Sequence, residues 1–326
     1  MYLVTGGAGF IGSNIVAALA ARGERVAVCD WLGSEEKWCN LAHHEVAEIV
    51  PPEQLDHWLS RRQNVQALVH MGAISSTTER DVDLIAATNI ALPQRLFHWC
   101  TEARVPFVYA SSAATYGDGS AGFEDEASPR ALARLRPLNA YGWSKNMFDR
   151  WVVRTIAKRR PAPPQWAGLK FFNVYGPNEY HKGAMRSVAL QLFQALSKGE
   201  PATLFRSHNP DYPDGGQLRD FVHVADCAAL VMWLLENPDV SGLFNCGTGR
   251  AESFLAVARA VFAALDKPEN LRFVDTPEAI RARYQYFTEA KLDRLRAAGY
   301  ERPFMPVAAG VAAYVKDHLL QEDPYL

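Results

Sequence analysis

The sequence predicts an α/β fold: a Rossmann-type doubly wound parallel sheet with a smaller α/β substrate-binding lobe. Three observations predict it. A short apolar run closed by glycines opens the chain, strand-like and helix-like segments alternate up to residue 172, and Gly6, Gly9 and Gly12 stand between the first strand and the first helix. Buried strands that alternate with helices call for a parallel sheet covered on both faces.

Each element follows from its residues. Residues 1–5 form an apolar run that reads as a buried strand. Residues 10–22 carry helical periodicity and end at Gly23, a residue type that closes helices. Residues 25–29 give the second strand, which ends at Asp30 and completes a β-α-β unit. The alternation continues with a strand at 67–70, a helix at 83–102 and a strand at 106–111. A long loop at 116–137 leads into the helix carrying Tyr141 and Lys145, and a strand follows at 168–172. After Asn173 the texture changes. Turn-rich stretches at 176–178 and 208–217 sit among helices at 185–198, 224–236, 254–265 and 307–319. We assign residues 1–172 to a dinucleotide-binding domain and residues 173–219 and 249–326 mainly to a substrate lobe. The chain is expected to return to the first domain around 220–248.

Bulk properties narrow the function. With 326 residues, 48% of them hydrophobic and 21% charged, the chain is long enough for one large domain or two lobes. The net charge of −2 and the absence of a long basic tract speak against a nucleic-acid partner. Five cysteines without a C-x-x-C pair suit neither a disulfide framework nor zinc, and suggest a reducing compartment. A strand that starts at Met1 leaves no room for a signal peptide. The longest apolar stretch, 225–235, contains Asp226 and is too short to span a bilayer. A cytoplasmic protein without a membrane partner is expected.

Gly6, Gly9 and Gly12, with Phe10 and Ile11 between them, lie in the strand–turn–helix context that a dinucleotide pyrophosphate needs. Glycines permit the tight turn and the close approach of backbone to phosphate. Asp30 stands where an acid takes a ribose hydroxyl, and taken alone it favours NAD. Lys37 can neutralise a 2′-phosphate or can be a solvated surface lysine. Gly72 and Ala73 pass close to the cofactor after the strand ending at His70, and Asn89 and Val174 border the same groove. Trp31, Met71 and Ser75 adjoin these positions and complete the expected cofactor shell.

Tyr141 and Lys145 lie one turn apart on one helix face. An ammonium near a phenol favours the phenolate, which lowers the tyrosine pKa and suits it to proton transfer on a hydroxyl while hydride leaves the same carbon. Ser112, after a strand, can hold that oxygen. The bland reading of Tyr141 is a packed ring with a wet hydroxyl. Thr115 can bond a substrate hydroxyl or cap its loop. Asp220, His223 and Asp226 resemble a metal cluster, but at a strand–helix junction capping is the better reading, and no metal site is expected.

Thr5-Gly-Gly-Ala-Gly-Phe-Ile-Gly12, Ser111-Ser112, Tyr141-x-x-x-Lys145, Phe172-Asn-Val-Tyr-Gly-Pro177 and Arg219-Asp-Phe-Val-His-Val224 together resemble the extended short-chain dehydrogenase/reductase family over nearly the whole chain. Ser75-Ser-Thr-Thr-Glu79, His181-Lys-Gly183, Asn245-Cys-Gly-Thr-Gly249 and Arg283-Tyr-Gln-x-Phe-Thr288 are similar to its branch acting at C6″ of ADP-heptoses, precursors of the lipopolysaccharide inner core. The resemblance implies epimerisation by transient oxidation and re-reduction with bound NADP, an ADP-heptose substrate, and a homo-oligomer, with a pentamer as one candidate. It implies two acid/bases, Tyr141 and Lys182, with Lys145 and Ser112 beside the first. Read without it, Lys182 is a phosphate-binding or surface lysine. It carries substrate contacts to Ser112, Asn173, Ala184, Gln191, Phe205, Arg206, Ser207, His208, Arg219 and Tyr284, with Arg219 on the diphosphate.

The chain also departs from that pattern. Ala184 and Gln191 replace a serine and a histidine, Pro51-Pro52 stands where a second basic residue would meet the cofactor phosphate, and 209–217 and part of 131–136 look inserted. Only Lys37 is left for a 2′-phosphate, so NADP is expected with NAD as its alternative. Competing functions are a UDP- or GDP-sugar 4-epimerase and a non-catalytic dinucleotide-binding protein. A dehydratase would carry an acid pair in the stretch that here reads Ser-Ser-Ala-Ala-Thr.

Overall fold

The structure, a computed structural model, describes residues 1–61, 64–281 and 284–326. Arg283 of the last motif lies outside the described residues. The strands are β1 (Tyr2–Thr5), β2 (Val26–Cys29), β3 (Glu48–Val50), β4 (Ala67–His70), β5 (Phe107–Ser112), β6 (Trp166–Phe171), β7 (Asn173–Tyr175), β8 (Ala202–Phe205), β9 (Leu218–His223), β10 (Gly242–Cys246), β11 (Ala251–Ser253) and β12 (Leu271–Val274). The helices are α1 (Phe10–Ala20), α2 (Leu55–Ser60), α3 (Val82–Ala86), α4 (Leu92–Ala103), α5 (Pro129–Arg134), α6 (Ala140–Ala157), α7 (Val188–Ser197), α8 (Val224–Glu236), α9 (Phe254–Ala264), α10 (Glu278–Arg281), α11 (Asp293–Ala297) and α12 (Val307–Ala313).

Seven strands form one all-parallel sheet in the order β10-β6-β5-β4-β1-β2-β3. Successive side chains alternate between its faces. Leu3, Ala27, Leu68 and Phe107 pack with α2, α4 and α6, whereas Val4, Val28, Val69 and Val108 pack with α1 and α8. Phe107 meets the rings of Phe97, Tyr109 and Phe148. Truncating so central a ring costs about 3–5 kcal/mol.

A second core gathers α7, α9 and α12 around β8, β9 and Tyr175. It carries two small sheets, β11-β9-β7 and β12-β8. β9 pairs with β7 and β11, and α8 and β10 then rejoin the first lobe, with β10 beside β6.

Local chemistry explains where the elements differ from the expected ones. The helix expected at 83–102 contains a π turn, Ala87–Ala91, just before Pro93. Proline has no N–H to donate, and the wider turn absorbs the missing bond. The helix expected from residue 185 starts only at Val188, because the Ser187 hydroxyl accepts from Leu190 N at 3.2 Å and caps it there. Before it lies a 3-10 turn, Tyr180–Met185, kinked at Gly183 with φ 54°. The loop at 116–137 holds α5, with Ser128 capping and Pro129 at its first position.

Candidate active site

The carboxyl ends of the central strands and the second lobe enclose a cavity of about 1030 Å³. The glycine turn forms one end. Gly6 has φ 67°, and a Cβ there would lie 2.5 Å from the Gly72 nitrogen, so the loops after β1 and β4 pack backbone to backbone. A Cβ on Gly12 would lie 2.0 Å from the Gly6 carbonyl oxygen, so α1 docks tightly on that turn. α1 begins after Gly9 without a side-chain cap, leaving its first-turn amides for an anion. Gly9, Phe10, Ile11 and Gly12 line the cavity, and this cradle fits a dinucleotide pyrophosphate.

Asp30, at the end of β2, accepts from Ala8 N at 3.0 Å and from Lys37 Nζ at 2.7 Å. Lys37 also donates to the Trp31 carbonyl at 2.8 Å. The Trp31 indole donates to Glu53 at 2.6 Å. Asp30, Trp31, Lys37, Met71, Gly72, Ala73, Ser75 and Val174 all line the cavity. Asn89 is one layer back. It is buried, its Oδ1 accepts from Ile74 N at 2.9 Å and its amide donates to Ser144 Oγ at 3.1 Å, so it braces the Ile74 loop against α6.

Ser112, Tyr141 and Lys145 converge on the same cavity. Ser112 ends β5 and accepts from Ala114 N at 3.1 Å. The Asn139 side chain caps α6 by accepting from Gly142 N at 2.8 Å. Gly142 packs so closely on this loop that a Cβ would lie 2.6 Å from the Ala114 oxygen, which sets the first turn of α6, and Tyr141 with it, against the Ser112 loop. Lys145 is buried and donates to the Ala110 carbonyl at 2.8 Å. Burial brings its ammonium down to about 8, against the pull of Asp149.

The expected lowering of the tyrosine is corrected here. Burial holds the Tyr141 phenol above its ordinary value, the Ser112 hydroxyl opposes this, and the Asp149 carboxylate adds to it. The ammonium one turn away is spent on Ala110.

Lys182 enters from the second lobe, on the turn before α7. Its ammonium lies 5.1 Å from the centre of the Phe10 ring. Burial lowers its pKa and the Glu179 carboxylate resists. Tyr180 of the same turn donates to the Pro324 carbonyl at 2.8 Å and meets the Tyr325 ring edge-on at 5.1 Å.

Of the expected substrate positions, Ser112, Asn173, Ala184 and Arg219 line the cavity. Arg219 is 8% exposed and lies between the rings of Phe254 and Tyr284, at 5.6 and 5.4 Å. Among the described residues no carboxylate lies within ion-pair distance of it. A buried cation without an anion suits an anionic ligand group.

Gln191, Phe205, Arg206, Ser207, His208 and Tyr284 do not line the cavity. Gln191 donates to the Arg186 carbonyl, Phe205 packs on Tyr284, and Arg206 faces Asp275 at 3.6 Å. Ser207 and His208 are held by Asn209 O and the Tyr286 hydroxyl, inside the turn that opens the apparent insertion.

The Asp220, His223 and Asp226 side chains are each engaged locally. Asp220 accepts from Thr248 N, Thr248 Oγ1, Gly249 N and Ala290 N at 2.7–3.0 Å. His223 caps α8, and Asp226 accepts from Met305 N at 2.7 Å.

Several lining residues had no individual role assigned from the sequence, although His181 and Gln285 stand inside motifs already noted. His181 meets Asn40 at 3.1 Å, and burial brings it down to about 4. Gln285 donates to the Gly117 carbonyl at 2.6 Å and ties the second lobe to the loop after Ser112. Glu53 and His70 complete the group, with His70 bonded to Thr5 Oγ1 at 2.6 Å.

The comparisons agree with this geometry. The model of the NAD dependent epimerase/dehydratase family matches residues 2–247. The ADP-L-glycero-D-manno-heptose-6-epimerase of Nitratidesulfovibrio vulgaris is 46% identical over 330 residues, spanning 100% of both chains. The solved ADP-L-glycero-D-manno-heptose-6-epimerase of Helicobacter pylori superposes with a TM-score of 0.78 at 24% identity, over 97% of this chain and 95% of that one. The Thermus thermophilus UDP-glucose 4-epimerase, solved with NAD, has a TM-score of 0.74 at 28% identity, over 96% and 97%. With its glycine cradle and its Ser112, Tyr141 and Lys145 set around one cavity, this chain belongs to the NAD dependent epimerase/dehydratase family.

Proposed function

We propose that the protein epimerises ADP-D-glycero-β-D-manno-heptose at C6″ to the L-glycero form. The observation that carries this reading is that Tyr141 and Lys182, from different lobes, open on one cavity. Inversion at a carbon bearing only its own hydroxyl needs proton handling on two faces, and one side chain serves one face. The full-length similarity to an enzyme named for this reaction supports the substrate.

A bound nicotinamide dinucleotide supplies reversible hydride acceptance at C6″. The glycine turn and the α1 amides hold its pyrophosphate, and Asp30 and Lys145 hold its riboses. Tyr141 takes the hydroxyl proton in one orientation of the substrate, with Ser112 fixing the oxygen. Lys182 serves the opposite orientation. A lysine brought below its ordinary pKa by burial is suited to release and recover a proton. Arg219 pairs with the substrate diphosphate.

The adenosine end favours NAD over the NADP that the resemblance implied. Lys37 is already bonded to Asp30, and Glu53 adds a second carboxylate at the same wall. A 2′-phosphate would meet two acids and one neutralised cation.

The test is a proton NMR time course in D₂O with ADP-D-glycero-β-D-manno-heptose and no added cofactor. Conversion to the L-glycero epimer without deuterium at C6″ is expected. Absence of conversion by protein that retains its dinucleotide would move the substrate to another nucleotide sugar. Conversion that leaves Lys182→Met fully active favours 4-epimerase-type chemistry with a single acid/base.

A further inference from the structure

Beneath the floor of the site lies a polar group that these roles do not use. Lys170 of β6 and Asp149 of α6 are ion-paired at 2.8 Å, and both side chains are 0% exposed. Lys170 stands in register with Ser111 on β5 and Asn245 on β10, so a polar row crosses three adjacent central strands. Asp149 also accepts from Ser111 Oγ at 2.6 Å and from the Tyr109 hydroxyl at 3.1 Å. Lys170 Nζ donates to Thr115 Oγ1 at 2.8 Å, and Thr115 donates in turn to the Ser112 carbonyl at 2.8 Å. Thr115 is therefore a link in this network and not a free substrate donor.

Stability alone does not call for such a pair. Desolvation of two charges roughly cancels their attraction, and packed apolar residues would serve a sheet as well. Placement is the informative part. Asp149 follows Lys145 by one helical turn and Tyr141 by two, on the same face of α6.

We infer that the Lys170–Asp149 pair balances charge behind the site. Asp149 keeps the Lys145 ammonium charged, and Lys170 opposes the field of that carboxylate at Tyr141 while locking the Ser112 loop through Thr115. The inference deepens the proposed function and rests on Tyr141 as the acid/base. Asp149 and Lys170 act through other residues, so both are positioning residues. The direction of the Asp149 influence agrees, since it raises both Lys145 and Tyr141. The other groups that face the network are the Tyr116 ring 5.0 Å from Lys170, Asp125 near Lys170, and His70 near Lys145. Lys182 lies across the cavity.

The experiment uses the full-length holoenzyme. The tyrosinate absorbance and the tyrosinate fluorescence, each taken as a difference from Tyr141→Phe, both report the phenol. Lys170→Met leaves a bare carboxylate and is expected to move both up by about one pH unit. Asp149→Asn is expected to move them down. The Lys170→Met/Asp149→Asn double variant should return them to the wild-type position, a rescue that a merely structural role does not produce. Folded single variants with unmoved titrations overturn the inference, as does a double variant displaced as far as Lys170→Met. If Lys170→Met does not fold, the near-isosteric Asp149→Asn carries the test alone, and an unmoved phenol overturns the inference. The absorbance titration needs no substrate, so failure of the heptose reading leaves it intact and is seen separately in the NMR assay.

Discussion

Lys37 and Asp30 are joined at 2.7 Å, so the lysine on the cavity wall beside β2 is neutralised by the acid proposed to bind the adenosine ribose. Asp30→Asn is expected to release Lys37 and raise the affinity for NADP relative to NAD by about tenfold, equivalent to ~1.4 kcal/mol. Binding titrations with both dinucleotides on the stripped protein measure the ratio. An unchanged ratio would mean that the carboxylate does not police the 2′ position.

Tyr141→Phe removes a proton carrier and almost no volume. Turnover should fall by about 10²–10⁴-fold while the dinucleotide stays bound. Retained cofactor fluorescence with near-normal turnover would sink the tyrosine assignment.

Lys182→Met removes the second proton carrier and keeps the contact with the Phe10 ring apolar. Epimerisation should be blocked, whereas dismutation of an aldehyde analogue, which needs one substrate orientation, should survive. Equal loss of both activities would make Lys182 a binding residue.

The Lys145 ammonium is brought down to about 8 by burial. It is charged below that pH and neutral above it, so its proposed hold on the ribose fades as pH rises. Turnover is therefore expected to decline above about pH 8. The same shift has a sign for stability. Between about 8 and 10.5 the unfolded chain binds the proton more tightly, and the burial cost of this one group shrinks as pH rises. A kcat profile that stays flat to pH 10 would contradict the assignment of Lys145.

Asp220 holds four donors from two distant segments, 248–249 and 290. Asp220→Ala leaves those donors buried and unpaired, and should cost about 3 kcal/mol or more in urea unfolding. EDTA should leave the wild-type midpoint unchanged, because this carboxylate is committed to protein donors. A chelator-sensitive midpoint would revive the metal reading.

What the sequence reveals and what it hides follow one rule. Gly6 to Gly12, and Tyr141 with Lys145, act through spacing within one strand–turn–helix or one helix, and spacing is written in the chain. Five strands of the parallel sheet were legible for the same reason, each an apolar run bounded by turn residues, whereas β3 and β10, at the two edges, were not placed. The Lys170–Asp149 pair, the Gln285–Gly117 bond and the His181–Asn40 contact join residues 21 to 168 positions apart, and nothing near any one of them names its partner. Tyr141 shows the limit within the local rule. Helix periodicity placed Lys145 one turn away, but only the tertiary structure shows that its ammonium points to Ala110. Gln191 and residues 205–208 lie off the cavity wall, with Gln191, Arg206 and His208 exposed to solvent, a placement that no linear pattern encodes.

The bond from Gln285 to the Gly117 carbonyl also bears on how the molecule can be rebuilt. One partner belongs to the second lobe and the other to the loop that follows Ser112. A chimera that grafts a foreign recognition lobe onto this dinucleotide lobe therefore inherits a two-part latch. Unless residue 285 of the graft finds the carbonyl at 117, the joint between the modules is left unfastened at the cavity wall. Recombination libraries of this scaffold should thus treat the two positions as one heritable unit.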